Sequence, residues 1–326
     1  NDWLRFRVES GGNIDLSSLT STTGRVWFDI AEQGSLRLGN LALTSDARFE
    51  MRHISSQVDV AGSLFLSSSS QFLMAPGAQV KVGGDFLFQQ TDETQLQFDR
   101  GILQLNGSGI QYLEAGGVDG GVGGSTSANF GIGRLEIGEP GAPTTVHVLD
   151  LFDNDNRGLA GEFEALYLYG LGGIDGLFLN EGSTLVLNDI NVYAWMDGAM
   201  TLLNDLFGDE VVGVPMGAGF IVSYEPETGD FDLDGDVDFD DIDELVLALN
   251  SSAAYEDAFG LPAHLVGDVD GDGDHDFDDI DGFVALLTGG SAAAQAVPEP
   301  SAAVLLLIGL AACSFRFRTF RAIAAL

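Results

Sequence analysis

The feature that most constrains the fold is a repeat. Gln57-Val58-Asp59-Val60-Ala61-Gly62-Ser63-Leu64-Phe65-Leu66 returns as Gln79-Val80-Lys81-Val82-Gly83-Gly84-Asp85-Phe86-Leu87-Phe88, an offset of 22 residues. Phe49-Glu50-Met51 and Phe72-Leu73-Met74 precede the two copies at nearly the same offset, and looser echoes begin at Gly34, Gly101 and Gly182. Apolar residues alternate within each copy, as at Val58, Val60, Leu64 and Leu66, which is the period-2 pattern of a strand with one buried face. Short strands joined by small-residue corners can bury that face only by stacking on the next copy. The expected fold class is therefore mainly β, with a parallel β-helix or solenoid-like region over residues 1–224. A division of that region into two parts, if there is one, falls near 116–130. An antiparallel β-sandwich has similar turn spacing, but an exact 22-residue echo is hard to explain in one. Ala199 to Phe207 reads as a short helix.

Charge separates the rest of the chain from this region. The 326 residues carry 50 Asp and Glu against 13 Lys and Arg, a formal charge of −37. Such a surface repels nucleic acid, so no nucleic-acid partner is expected. Between Arg157 and Arg316 there is no Lys or Arg, and inside that gap carboxylates recur every second or third residue in two stretches between Glu225 and Asp281. Left unneutralised, those stretches resist compaction, so a cation from outside the protein is expected there.

The spacing says how the cation is held. Asp230, Asp232, Asp234, Asp236, Asp238 and Asp241 are matched 38 residues on by Asp268, Asp270, Asp272, Asp274, Asp276 and Asp279. Calcium takes about six to eight oxygens, and a twelve-residue loop supplies them from positions 1, 3, 5, 7, 9 and 12, with glycine at 6 for the sharp turn. Gly235 and Gly273 stand at position 6, and position 7 contributes its backbone carbonyl. Two calcium ions are therefore expected. An apolar-periodic helix follows each loop, through Ile242, Leu245, Val246 and Leu249, and through Ile280, Phe283, Val284 and Leu287.

This double pattern over about 229–288 resembles the dockerin family, in which two calcium loops each run into a helix without the entering helix of a full EF-hand. The β region before it is loosely similar to the passenger-like repeats that precede dockerin modules in bacterial surface proteins. The resemblance implies a module at 225–288 that docks to a cohesin-like or other surface protein, or to an extracellular polysaccharide. Dockerins that bind cellulosomal cohesins carry small hydroxyl residues near positions 10 and 11, whereas this chain has Phe239-Asp240 and Phe277-Asp278. The two phenylalanines are expected in the module's core, and His275, at position 8 of the second loop, is expected to be exposed.

After a linker at 289–296, residues 297–326 carry Pro298-Glu299-Pro300, an apolar span at 302–315, and then Arg316, Arg318 and Arg321. This order is similar to a PEP-CTERM sorting signal, which implies processing by an exosortase after export. Arginines beyond an apolar span keep the C-terminus cytoplasmic and the acidic body outside. The expected location is secreted or cell-envelope, with a C-terminal transmembrane helix in the inner membrane before processing. The chain starts at Asn1 without a leader and reads as trimmed. The single cysteine, Cys313, excludes disulfides as staples.

No histidine, serine or glycine motif of a known catalytic type is present, and a non-enzymatic protein is the expected reading. The alternative is a polysaccharide lyase or glycoside hydrolase on the β-helix. Such an enzyme would show a row of acids and bases on adjacent coils beside a glycan-sized groove. Asp150 to Arg157 is the best local candidate, although Asp and Asn are also what a turn between strands needs.

Overall fold

The 22-residue echo becomes a coil. In the structure, a computed structural model, Gln57–Val60 pairs in parallel with Gln79–Val82, and Gln57 meets Gln79, Val58 meets Val80, and Val60 meets Val82. Leu64–Leu66 likewise lies beside Phe86–Phe88, and Gln71–Met74 beside Ala47–Met51. Each repeat thus places one strand in each of three sheets. The described residues are 3–19, 21–22, 25–43, 46–124, 129–158, 163–207, 212–224, 226–271 and 274–288.

The first sheet stacks five strands, from Leu4–Val8 to Leu96–Gln97, the second seven, from Asn13–Leu16 to Leu177–Leu179, and the third nine, ending on Gly219–Val222 and Gly213–Met216. All pairs in these sheets are parallel except that last one, a hairpin. The result is a parallel β-solenoid of about eight turns, which decides against the sandwich. A smaller sheet holds Leu166–Leu168, Val192–Met196 and Ala199–Leu202.

The core follows from the pleat. Residues facing inward on successive coils stack on one another, and Phe6, Phe28, Phe49, Phe72 and Phe98 form one column with ring centroids 5.4, 4.5, 4.7 and 4.8 Å apart. These are close to the strand spacing of about 4.7–4.9 Å, so the coil rise itself brings the rings into contact. At two of the corners there is no room for a side chain. A Cβ on Gly83 would lie 2.5 Å from the Ala61 carbonyl oxygen, and one on Gly107 would lie 2.1 Å from that of Gly83. Buried Ser56 satisfies another corner, donating to the carbonyls of Ile30 and Ala31.

The expected helix at Ala199–Phe207 is divided equally between a strand and a turn of 3₁₀ helix. Ala199–Leu202 pairs antiparallel with Val192–Met196 through a tight turn, and Leu203–Leu206 makes the 3₁₀ turn. Pairing to a neighbouring strand overrides the local helical preference of this stretch.

Four helices follow the solenoid: α1 (Ile242–Asn250), α2 (Ser252–Phe259), α3 (His264–Gly267) and α4 (Asp279–Leu287). They enclose a second core of Phe231, Leu245, Ala248, Tyr255, Val266 and Phe283, among others. This module lies directly against the last coil, where Leu233 and Leu265 pack on Val186, Val212, Phe220 and Val222. Residues 289–326, with the linker, Pro298-Glu299-Pro300 and the apolar span, lie outside the described residues. Among the described residues no helix is long and apolar enough to cross a membrane.

Candidate metal centre

Both aspartate-rich loops fold the same way, and one residue in each closes them. Asp241, at position 12 of the first loop, is 1 % exposed. Its Oδ1 accepts the amide N–H groups of Phe231 (2.6 Å) and Asp232 (3.1 Å), and its Oδ2 accepts that of Asp238 (2.8 Å). Asp279 repeats this in the second loop, accepting from Val269 (2.7 Å), Asp270 (3.1 Å) and Asp276 (2.9 Å). Each carboxylate therefore ties the start of its loop to the start of the following helix. That helix begins with further acids, Asp243 and Glu244 in α1 and Asp281 in α4, which its N-terminal dipole favours.

Inside the first loop, backbone N–H groups turn towards the early aspartates. Asp230 accepts from Asp234 (3.1 Å) and Gly235 (3.2 Å), Asp232 from Asp234 (3.1 Å), and Asp234 from Asp236 (3.2 Å). Such Asx turns wind the chain around a centre. Gly235 has φ of +99°, the conformation that position 6 requires. Carboxylate oxygens of Asp230, Asp232 and Asp234 all lie within 4.8 Å of one another, as do those of Asp268, Asp270 and Asp279. The remaining expected ligands are not gathered into these two groups. Asp236 and Asp274 were expected to act through their backbone carbonyls. Asp238 and Asp276 accept from the amides of Asp240 and Asp278, and Asp241 is engaged as described. Asp272 and Gly273 lie outside the described residues.

Charge accumulates accordingly. Burial pushes the Asp230 carboxyl above its ordinary range, with the charges of Asp241 and Asp232 adding to it. Burial and then Asp234 raise Asp232, and the charges of Asp234 and Asp238 raise Asp236. An all-oxygen donor set under this repulsion fits a hard divalent cation, and the residues present suit calcium.

Two expectations about the loops fail. Phe239 and Phe277 are not in the core; each is 71 % exposed. The core is filled from position 2 instead, where Phe231 packs edge-on against Tyr255 and Phe283 at 6.0 and 5.6 Å. Phe239, Ile242 and Val246, at spacing i, i+3, i+7, thus leave an apolar stripe open along α1, and Phe277 and Val284 do so along α4. His275 is not exposed: its side chain is 3 % accessible. Its Nδ1–H donates to the Gly267 carbonyl at 2.9 Å, and its ring rests on Phe231.

Leu233, at position 4, has φ of +62°, where the second loop has Gly271 at +79°. A leucine there costs about 1–2 kcal/mol of backbone strain. Its contact with the last coil offsets that cost.

On the solenoid, Asp150 and Arg157 engage each other: the guanidinium Nε reaches both carboxylate oxygens at 3.0 and 3.1 Å. The Asp150 carboxylate also accepts the Glu164 amide at 2.9 Å, so this pair closes the loop it sits in. The second sheet carries a row at the 22-residue spacing of the repeat. Asp15, Arg37, Asp59 and Lys81 are cross-strand neighbours on four successive coils, beside a cavity of about 260 Å³. Arg37 pairs with Asp59 at 3.5 Å and Lys81 with Glu139 at 2.6 Å. Compared with family models, curated proteins and solved structures, the chain matches none.

Proposed function

We propose that this chain is a non-enzymatic secreted or cell-surface protein whose dockerin-like module, ordered by two calcium ions, docks the β-solenoid to a partner protein. The observation that carries this reading is the pair of stripes led by Phe239 and Phe277. They repeat at matching loop positions and face solvent on a module that already has a complete core. Exposed apolar stripes of this kind are characteristic of interaction surfaces. Carboxylates surround them, so the partner is a cohesin-like or other surface protein with an apolar patch rimmed by basic residues. Calcium acts structurally in this reading: neutralising each loop supplies folding free energy to a segment that otherwise repels itself. Export and exosortase-type sorting through Pro298, Glu299 and Pro300, with the 302–315 span in the inner membrane before processing, complete the proposal.

The test is retention of envelope proteins on the immobilised full chain, in calcium and in chelator. The proposal expects a protein held only with calcium by the parent, and released by Phe239→Ala/Phe277→Ala although that variant still binds calcium. Retention that is indifferent to both changes would refute it. The row on the second sheet favours one other reading, an extracellular polysaccharide laid across the coils, bound or cleaved there. Binding of soluble glycans that Asp59→Ala/Lys81→Ala abolishes would support it.

A further inference from the structure

Away from the module, the solenoid buries Glu114 and Glu164 near a single arginine, Arg157, whose field reaches Glu164. Glu114 ends the strand Ile110–Glu114 and is 1 % exposed; Glu164 lies at the far end of the loop after Leu149 and is 0 % exposed. Residues 152–156 of that loop reach both through their backbone. Glu114 Oε1 accepts the Phe152 amide at 2.8 Å, and Glu164 Oε1 accepts those of Asn154 and Asn156 at 2.8 and 2.9 Å. The three donating amides lie within five residues of chain, so both carboxylates anchor one short segment.

Asn154 belongs to this segment and is itself fully buried. Its Nδ2 donates to the carbonyls of Phe88 and Gln90. Its Oδ1 points towards Gly116, two residues beyond Glu114, where a Cβ would lie 3.2 Å away. Three buried oxygens in this neighbourhood have no hydrogen-bond donor: Glu114 Oε2, Glu164 Oε2 and Asn154 Oδ1. The one nearby cation, Arg157, is engaged by Asp150. Two buried carboxylates and an amide oxygen, all acceptors, call for a positive species between them.

We propose that Glu114, Glu164 and Asn154 bind a calcium ion beside residues 152–156, separate from the two proposed for the module. The charge of two carboxylates matches a divalent ion, and an all-oxygen set with no nitrogen or sulfur donor selects a hard one. Calcium tolerates the irregular geometry that a chain loop offers, whereas magnesium demands near-octahedral ligands. Without the ion, burial pushes Glu114 up to about 9 and Glu164 up to about 7, so protons are the competing occupants.

The test is calcium stoichiometry of the full chain by equilibrium dialysis at pH 7.5, with calcium as the only probe. The parent should hold three ions, Glu114→Gln/Glu164→Gln two, and Asp230→Ala/Asp268→Ala one. A parent that holds no more calcium than the glutamine variant overturns the proposal, and leaves protonated carboxyls as the occupants. Loss of the module ions alone would leave the solenoid ion countable, so the two readings fail separately. If the glutamine variant does not fold, carbon-13 carboxyl titration of the parent decides. Calcium should move the Glu114 and Glu164 midpoints below about 5; midpoints unchanged by calcium refute the site.

Discussion

Replacing Asp241 by alanine tests whether position 12 of the first loop is a fastener as well as a ligand. The carboxylate accepts three backbone N–H groups, and that of Phe231 is fully buried. A buried amide left without an acceptor costs about 1–3 kcal/mol, and the part-exposed amides of Asp232 and Asp238, which water can reach, cost less. The total loss is about 3 kcal/mol. Against it stands the removal of one charge that crowds Asp230 and Asp232, a relief of about 1 kcal/mol at a partly solvated site. The net loss of about 2 kcal/mol corresponds to about thirtyfold weaker protection of the Phe231 amide. Hydrogen exchange on the full chain in saturating calcium reads this as a lower bound, because losing an expected ligand of the ion adds to the deficit. Asp240→Ala, at an exposed neighbour, should leave the Phe231 amide unchanged. Phe231 protection in Asp241→Ala equal to that of the parent would overturn the assignment.

Other consequences are direct. Phe72→Ala removes the fourth ring of the aromatic column, stacked on Phe49 and tilted against Phe98; it should cost about 3–5 kcal/mol and lower the thermal midpoint measured by circular dichroism. Leu233→Gly relieves a positive φ worth about 1–2 kcal/mol but gives up the contact with Val186 and Phe220. Its stability should therefore change little while amide exchange across Gly219–Val222 quickens; unchanged exchange would mean that Leu233 does not hold the module to the last coil. His147 is buried in the third sheet, and burial holds its ring down to about 4. The unfolded ring takes its proton near 6.5, so this contribution is complete above pH 6.5 and is lost as pH falls from 6.5 towards 4, to a total of about 3 kcal/mol. Glu114 and Glu164, when free of calcium, act with the opposite sign, since their raised values favour the folded state at low pH. The difference between parent and His147→Gln in urea midpoints across pH 4–7 isolates the histidine, and a flat difference would refute its burial as a neutral ring.

The solenoid and the acidic loops were legible for the same reason: both are written in short-range spacing. Val58 and Val80 share a face because alternation and an equal coil length put them there, and Asp230, Asp232 and Asp234 converge because a loop of alternating residues turns every second side chain inward. Phe239 and Phe277 misled because hydrophobicity reports a tendency to be buried and not a destination. The core volume was already taken by Phe231, Tyr255 and Phe283, residues that approach from three different elements.

What the sequence determined by itself, then, was the coil and the loop, since each depends on contacts within about one repeat. The tertiary fold was needed for the seat of Leu233 on the last coil and for the approach of residues 152–156 to Glu114 and Glu164. Those partners are separated by one or more coils or by an inserted loop. Stacking in the third dimension, with its register and corner lengths, brings them together, and no local periodicity records it.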